Sequence, residues 1–102
     1  MKYELKFIPS AQTDFDNLDA RRKILVAKQL KKLENNPYAG QHLGHKAGIN
    51  LTGYYKLYVD KKKYRIVYTV IEKEIIVKII VIGERQDLSV YREAAKRISQ
   101  EK

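Results

Sequence analysis

Polar and apolar residues alternate over residues 2–8 (KYELKFI), which places Tyr3, Leu5 and Phe7 on one face of a half-buried strand. Pro9 ends that strand and suits the first turn of a helix, with Ser10 beside it near the cap. The period then changes. Ala11, Phe15 and Leu18 recur at helical spacing over residues 10–18. Asp19 is placed to cap a second helix over residues 20–35, whose apolar stripe reads Ile24, Ala27, Leu30 and Leu33, helped by Val26. Asn35-Asn36-Pro37 stops it. Residues 37–53 hold four of the five glycines and both histidines, and read as a loop with a short extended segment at residues 49–51.

Three strands are predicted next. Residues 54–59 (YYKLYV) lead to a turn at 60–63, residues 64–71 (YRIVYTVI) to a turn at 72–74, and residues 75–82 (IIVKIIVI) form the most hydrophobic strand, expected to be central and covered on both faces. The short connections make the three antiparallel neighbours. A final helix over residues 88–98, capped by Asp87 or Ser89, carries Tyr91, Ala94, Ala95 and Ile98 on its apolar side. The order β-α-α-β-β-β-α predicts one α+β domain over residues 1–102. Its four-stranded antiparallel sheet carries the N-terminal helical hairpin on one face and is joined by a C-terminal helix, and the opposite face is left for function.

Charge changes the picture more than length does. The formal net charge is +9, from 21 Lys+Arg against 12 Asp+Glu, which draws polyanions such as nucleic acid or an acidic protein. Cysteine is absent, so disulfides, cysteine-based zinc sites and thiol nucleophiles are excluded. The longest apolar run, Ile79 to Ile82, is far below the roughly 20 residues that span a bilayer. The N-terminus turns polar at Lys2, unlike a signal peptide. A cytoplasmic protein without a membrane partner is expected.

Alternation sorts the side chains of the later strands. Tyr54, Lys56 and Tyr58 share one face, and Tyr55, Leu57 and Val59 the other. Arg65 shares its face with Val67, Thr69 and Ile71, and whether it lies beside Lys56 depends on hairpin register. Arg85 follows Gly83, where the chain is expected to leave the sheet. Each has a bland alternative: a solvated strand lysine, a surface ion pair, a core tyrosine. His42 and His45 sit among glycines with no third ligand, so no metal site and no cofactor is expected.

The combination is more specific than its parts. Tyr55-Lys56, then Tyr64-Arg65-Ile66-Val67-Tyr68, a hydrophobic strand, Gly83-Glu84-Arg85 and Val90-Tyr91 resemble the RelE/ParE superfamily of bacterial type II toxins. The resemblance covers nearly the whole chain and is nearest to the RelE branch of ribosome-dependent messenger-RNA endonucleases. It implies catalytic roles for Lys56, Arg65, Arg85 and Tyr91, and RNA binding by Tyr58, Lys62 and Lys63. Tyr58 departs from the pattern, which has Lys or Arg there to activate the attacking hydroxyl. A phenol, with a reference pKa of about 10, is a poor base at neutral pH.

The implied reaction is attack of a ribose 2′-hydroxyl on the adjacent phosphate. Arg65 would bind phosphate, Lys56 bind it or help deprotonate the hydroxyl, Arg85 steady the leaving oxygen, and Tyr91 stack on a base. The implied partners are a cognate antitoxin, the 70S ribosome with its messenger RNA, and operator DNA only through the toxin–antitoxin complex. The rival expectations are a ParE-like inhibitor of DNA gyrase that cuts no RNA, and a catalytically degenerate toxin.

Overall fold

In the computed structural model, which describes residues 2–46, 48–84 and 89–100, the chain opens with β1 (Glu4–Phe7) and turns at Pro9 into α1 (Pro9–Asp16). Pro9 occupies the start of that helix, where its missing N–H costs no internal bond. α2 (Ala20–Asn35) follows, capped as expected by Asp19, whose carboxylate accepts from the Arg22 N–H at 3.0 Å. Three two-residue strands, β2 (Gln41–His42), β3 (His45–Lys46) and β4 (Ile49–Asn50), occupy the predicted loop. β5 (Tyr54–Val59), β6 (Tyr64–Ile71) and β7 (Ile76–Glu84) then form the meander, and α3 (Ser89–Gln100) ends the described chain.

The α+β class and the helical hairpin stand, but the sheet differs from the expectation. It has five strands in the order β1-β7-β6-β5-β2, and β1 runs parallel to β7. The parallel pair follows from the crossover. β1 joins the last strand only after both helices and the whole meander have been traversed, a connection long enough to reverse its sense. β6, not β7, is the middle strand, although β7 is the more apolar. β3 and β4 pair separately.

α2 packs through Val26, Leu30 and Leu33, while Ile24 is 58% exposed and Ala27 is exposed, so the stripe is turned from the predicted one. Polar anchors set that rotation. Gln29 Nε2 donates to the Tyr58 carbonyl at 2.8 Å, and Arg21 and Arg22 both reach Asp60.

The face opposite the hairpin is not left free. α3 lies across it and buries Val90, Tyr91 and Ala94 against a core that includes Val67 and Val81. Ser89 lies within the described helix rather than at its cap, and Asp87 lies outside the described residues.

α3 is fastened at the edge of β7. β1 pairs with that edge only as far as Ile79, and Ile80 is the extra residue of a bulge opposite Val67 and Tyr68. The strand's next polar groups are met by side chains. Asp14 Oδ2 on α1 accepts from the Ile82 N–H at 3.0 Å, and Arg97 Nη1 on α3 donates to the Ile80 carbonyl at 2.9 Å. The two side chains pair with each other at 2.7 Å, and Arg97 Nε also donates to Glu93 at 2.8 Å. Burial opposes the Arg97 charge, and the hydrogen bonds to Asp14 and Glu93 more than offset it, raising its pKa above the ordinary value.

Candidate functional site

The register of the β5–β6 hairpin decides which side chains meet. Tyr58 stands opposite Arg65 and Lys56 opposite Val67, so Arg65 faces Tyr58 directly and Lys56 is its diagonal neighbour on the same face. On the other flank Arg65 faces Gly83 of β7. Gly83 lies inside that strand, which runs on to Glu84, and not where the chain leaves the sheet. Its lack of a side chain sets the depth of α3, because a Cβ there would meet Val90 Cγ2 at 3.2 Å. With Val90 seated close, the next residue, Tyr91, comes down onto Arg65.

Arg65 is therefore held between two rings. Its guanidinium carbon lies 4.8 Å from the Tyr91 ring centre and 5.5 Å from that of Tyr58. It is only 7% exposed, and its Nε has no hydrogen-bond partner. No carboxylate pairs with it among the described residues. Buried guanidinium groups are normally paired, so a site that fixes one by aromatic stacking leaves its donors for an incoming anion.

Two further cations converge on Tyr58. Lys56 Nζ donates to Tyr58 Oη at 3.0 Å and lies 4.9 Å from the ring centre, and Lys62 Nζ lies 5.5 Å from it. Tyr58, which departs from the family pattern in sequence, is thus the hub of the cluster. Its ring stands where three positive side chains meet, and its hydroxyl binds one of them. Period-two alternation had placed Tyr58 on the Lys56 face, but hub status depends on register and on the turn, which alternation does not carry.

The structure brings together Lys56, Tyr58, Lys62, Arg65 and Tyr91. Lys63 stands apart: it is exposed at the end of the turn, and its charge acts on Asp60. Arg85 lies outside the described residues.

The strand carrying Lys56 is braced from behind. The rings of Tyr55 and Tyr68 stack at 5.5 Å, and Tyr38 and His42 meet Tyr55 edge-on. Tyr68 is fully buried, and burial raises its pKa; its hydroxyl accepts from the Gly40 N–H at 2.9 Å. Tyr38 donates to Glu72, which pushes its pKa up to about 12. His42 Nε2 accepts from the Gly53 N–H at 2.9 Å, a structural role in the loop.

The Lys62 side chain comes from a strained turn. Asp60, Lys61 and Lys62 all have positive φ, at 54°, 55° and 70°. The Asp60 side chain is 4% exposed and is gripped by Arg21 at 2.8 Å and by Arg22 at 3.4 Å. Those contacts, the hydrogen bond from Arg21 foremost, lower its pKa.

Comparison with known proteins agrees with this architecture. A family model described as ParE toxin of type II toxin–antitoxin system, parDE, matches residues 5–88. A putative RelE-like toxin protein of Escherichia coli is 30% identical over 98 residues, covering 96% of this chain and 99% of that protein. The mRNA interferase toxin RelE of Escherichia coli strain K12 is 28% identical over 104 residues, with the same 96% and 99% coverage. The free structure of an arginine-to-alanine variant of Escherichia coli RelE superposes with a TM-score of 0.75 at 29% identity, over 96% of this chain and 99% of that one. The same variant bound to a peptide of the antitoxin RelB superposes at 0.70 and 27% identity, over 92% and 95%. Among the described residues, no helix is long and apolar enough to cross a membrane.

Proposed function

This chain belongs to the ParE toxin family of type II toxin–antitoxin systems, and on that premise we propose that it is an endoribonuclease that cuts messenger RNA in the A site of the 70S ribosome and so stops translation. The observation that carries the proposal is Arg65: a buried guanidinium, clamped by Tyr58 and Tyr91, with no anion to satisfy it among the described residues. A relative at 28% identity is named an mRNA interferase, which supports the same assignment.

In this reaction the ribose 2′-oxygen attacks the adjacent phosphorus and the bond to the 5′-oxygen breaks. The products are a 2′,3′-cyclic phosphate and a free 5′-hydroxyl. Negative charge grows on the phosphoryl oxygens, and Arg65 is placed to bind them from the start. The hydrogen-bonded Lys56–Tyr58 pair takes the 2′-hydroxyl side, where it orients the attacking oxygen while the departing proton leaves through water. Lys62 and Lys63 add attraction for the backbone, and Tyr91, only 3% exposed, serves by holding Arg65 in place rather than by stacking on a base. Arg85 is assigned the leaving oxygen, where it stabilises the developing charge while water supplies the proton of the 5′-hydroxyl. Guanidinium and ammonium groups supply the positive charge that a metal ion would otherwise bring, so the reaction is written as metal-independent and without a cofactor.

The cluster lacks a strong base, and the ribosome supplies the missing organisation by holding the messenger in line, an effect that reaches several kcal/mol. Residues 1–102 act as one domain, in the cytoplasm. A cognate antitoxin restrains the toxin, as the RelB-bound structure of the relative supports, and operator DNA is reached only through that complex.

The family description favours one rival, a ParE-like inhibitor of DNA gyrase. One experiment separates the two. Primer extension on a defined messenger, with and without purified ribosomes, should show discrete A-site cuts only when ribosomes are present. Gyrase supercoiling should continue undisturbed by the same protein. Inhibited supercoiling with an uncut messenger would transfer the assignment to gyrase.

A further inference from the structure

A groove of about 410 Å³ runs between α2 and the β5–β6 turn. Lys28 and Lys32 stand on its helical wall, Lys61 and Lys62 on its turn wall, and all four are exposed. Its one acidic residue, Asp60, is already engaged by Arg21 and Arg22 and turned from solvent. Gln29 is committed to the Tyr58 carbonyl and ties the two walls together. The groove therefore presents positive charge with no free carboxylate to oppose it, inside walls of low polarisability that concentrate the field.

The groove adjoins the Arg65 cluster through two shared residues at the β5–β6 turn. Tyr58 belongs to both, and Lys62 lines the groove while its ammonium lies 5.5 Å from the Tyr58 ring centre. The turn that carries Lys61 and Lys62 holds both at positive φ, where glycine or asparagine would relieve the backbone. Its geometry is fixed by the Asp60 clamp and by the Lys63 N–H donating to the Asp60 carbonyl at 3.0 Å.

We infer that this groove is a second binding site, a track for the sugar-phosphate backbone of the same RNA strand as it continues past the site of cleavage. The inference rests on the reading that the chain acts on RNA, and extends it from one phosphate at Arg65 to a run of phosphates. The shared residues select this occupant: Tyr58 and Lys62 line the groove and also belong to the Arg65 cluster, so a strand seated on the cluster has a basic path around the edge of β5 into the groove. Lysines suit the task, since they act as point charges and impose no base sequence.

The test is binding of fluorescent 2′-O-methyl RNA, which has no attacking hydroxyl and stays whole. A trinucleotide covers the Arg65 cluster alone, and a nonanucleotide continues into the groove. Wild-type protein should bind the nonanucleotide more tightly. Lys28→Gln/Lys32→Gln keeps good helix formers at exposed positions and should abolish that advantage while leaving trinucleotide affinity unchanged. Its plot of log Kd against log salt should flatten by about 1.4, at about 0.7 for each lost phosphate contact on a single strand.

The inference is overturned by an absent length effect, or by a double variant with unaltered nonanucleotide affinity and salt slope. It is also overturned if the variant loses affinity only for poly-glutamate, which gives the groove to an acidic protein. The same holds if it loses affinity only for ribosomes, which gives the groove to ribosomal RNA. Because the probe cannot be cut, a length effect without ribosome-dependent cleavage would sink the catalytic proposal and leave the groove standing.

Discussion

The Tyr91 ring sits 4.8 Å from the Arg65 guanidinium and is itself 3% exposed, so a buried cation of the sheet and the aromatic residue of α3 hold each other in place. An arginine clamped in this way loses little freedom when an anion arrives. Tyr91→Phe should keep the clamp and most of the cleavage rate. Tyr91→Ala should lower stability by ~3 kcal/mol through the cavity it leaves, and should slow cleavage further by releasing Arg65. Urea denaturation and single-turnover cleavage on programmed ribosomes measure the two effects separately.

The Asp14–Arg97 pair holds α3 to the edge of β7 and so acts on Tyr91 at a distance. Both side chains are mostly buried, at 19% and 12% exposure. Arg97→Ala leaves the Asp14 carboxylate beside the Ile82 N–H without its counterion, at a cost of ~2–3 kcal/mol, below the ~3–5 kcal/mol of a fully buried pair. Denaturation should show that loss. The near-ultraviolet signal of the tyrosines should change as Tyr91 loosens, whereas Val26→Ala in the opposite layer should destabilise without disturbing cleavage by the folded fraction.

Acid should act on the β5–β6 turn. The pKa of Asp60 is lowered from its ordinary 3.8 in the folded protein, chiefly by the hydrogen bond from Arg21. The folded state thus binds fewer protons at this group than the unfolded chain. The stabilisation is full above the unfolded pKa and disappears as pH falls through the lower folded one. Asp60→Asn should be less stable than wild type at neutral pH, and the gap should close in strong acid. Paired melting curves across that range check the sign. A gap that is constant with pH would remove the charge argument.

Gly40 packs against the backbone of β5. A methyl group there would press on the Lys56 carbonyl oxygen and lie 2.7 Å from Tyr68 Oη, and neither can move without shifting the strand. Gly40→Ala should cost ~1–3 kcal/mol and displace β2 from β5. Amide exchange at Tyr55 and Lys56 would register the change, faster than in wild type.

Much of this was legible in the sequence. Pro9 and Asp19 fix the helix starts by local chemistry, and the alternation in residues 54–71 fixes which residues share a face. The parallel β1–β7 pair was not legible, because strand direction at long range is set by where the intervening helices pack. The turned face of α2 was hidden for a similar reason: Ile24 and Val26 are equally apolar to a periodicity count, and only the Gln29 and Arg22 anchors choose between them. The resemblance drew attention to Lys56, Arg65 and Tyr91, and the structure brings them to one place. Tyr58 looked like a defect in the pattern, and only the hairpin register shows it at the meeting point of three cations.

The most direct test of the central claim is the single-turnover rate of messenger cleavage on saturating programmed ribosomes for wild type, Arg65→Lys and Arg65→Ala. If the buried guanidinium stabilises the phosphoryl charge, Arg65→Ala should fall by about 10²–10³-fold, as for loss of one preorganised donor. Arg65→Lys should lie between, because an ammonium keeps the charge and loses the forked contact. A folded Arg65→Ala protein that cuts at close to the wild-type rate would contradict the account, and would leave Arg65 as a structural cation.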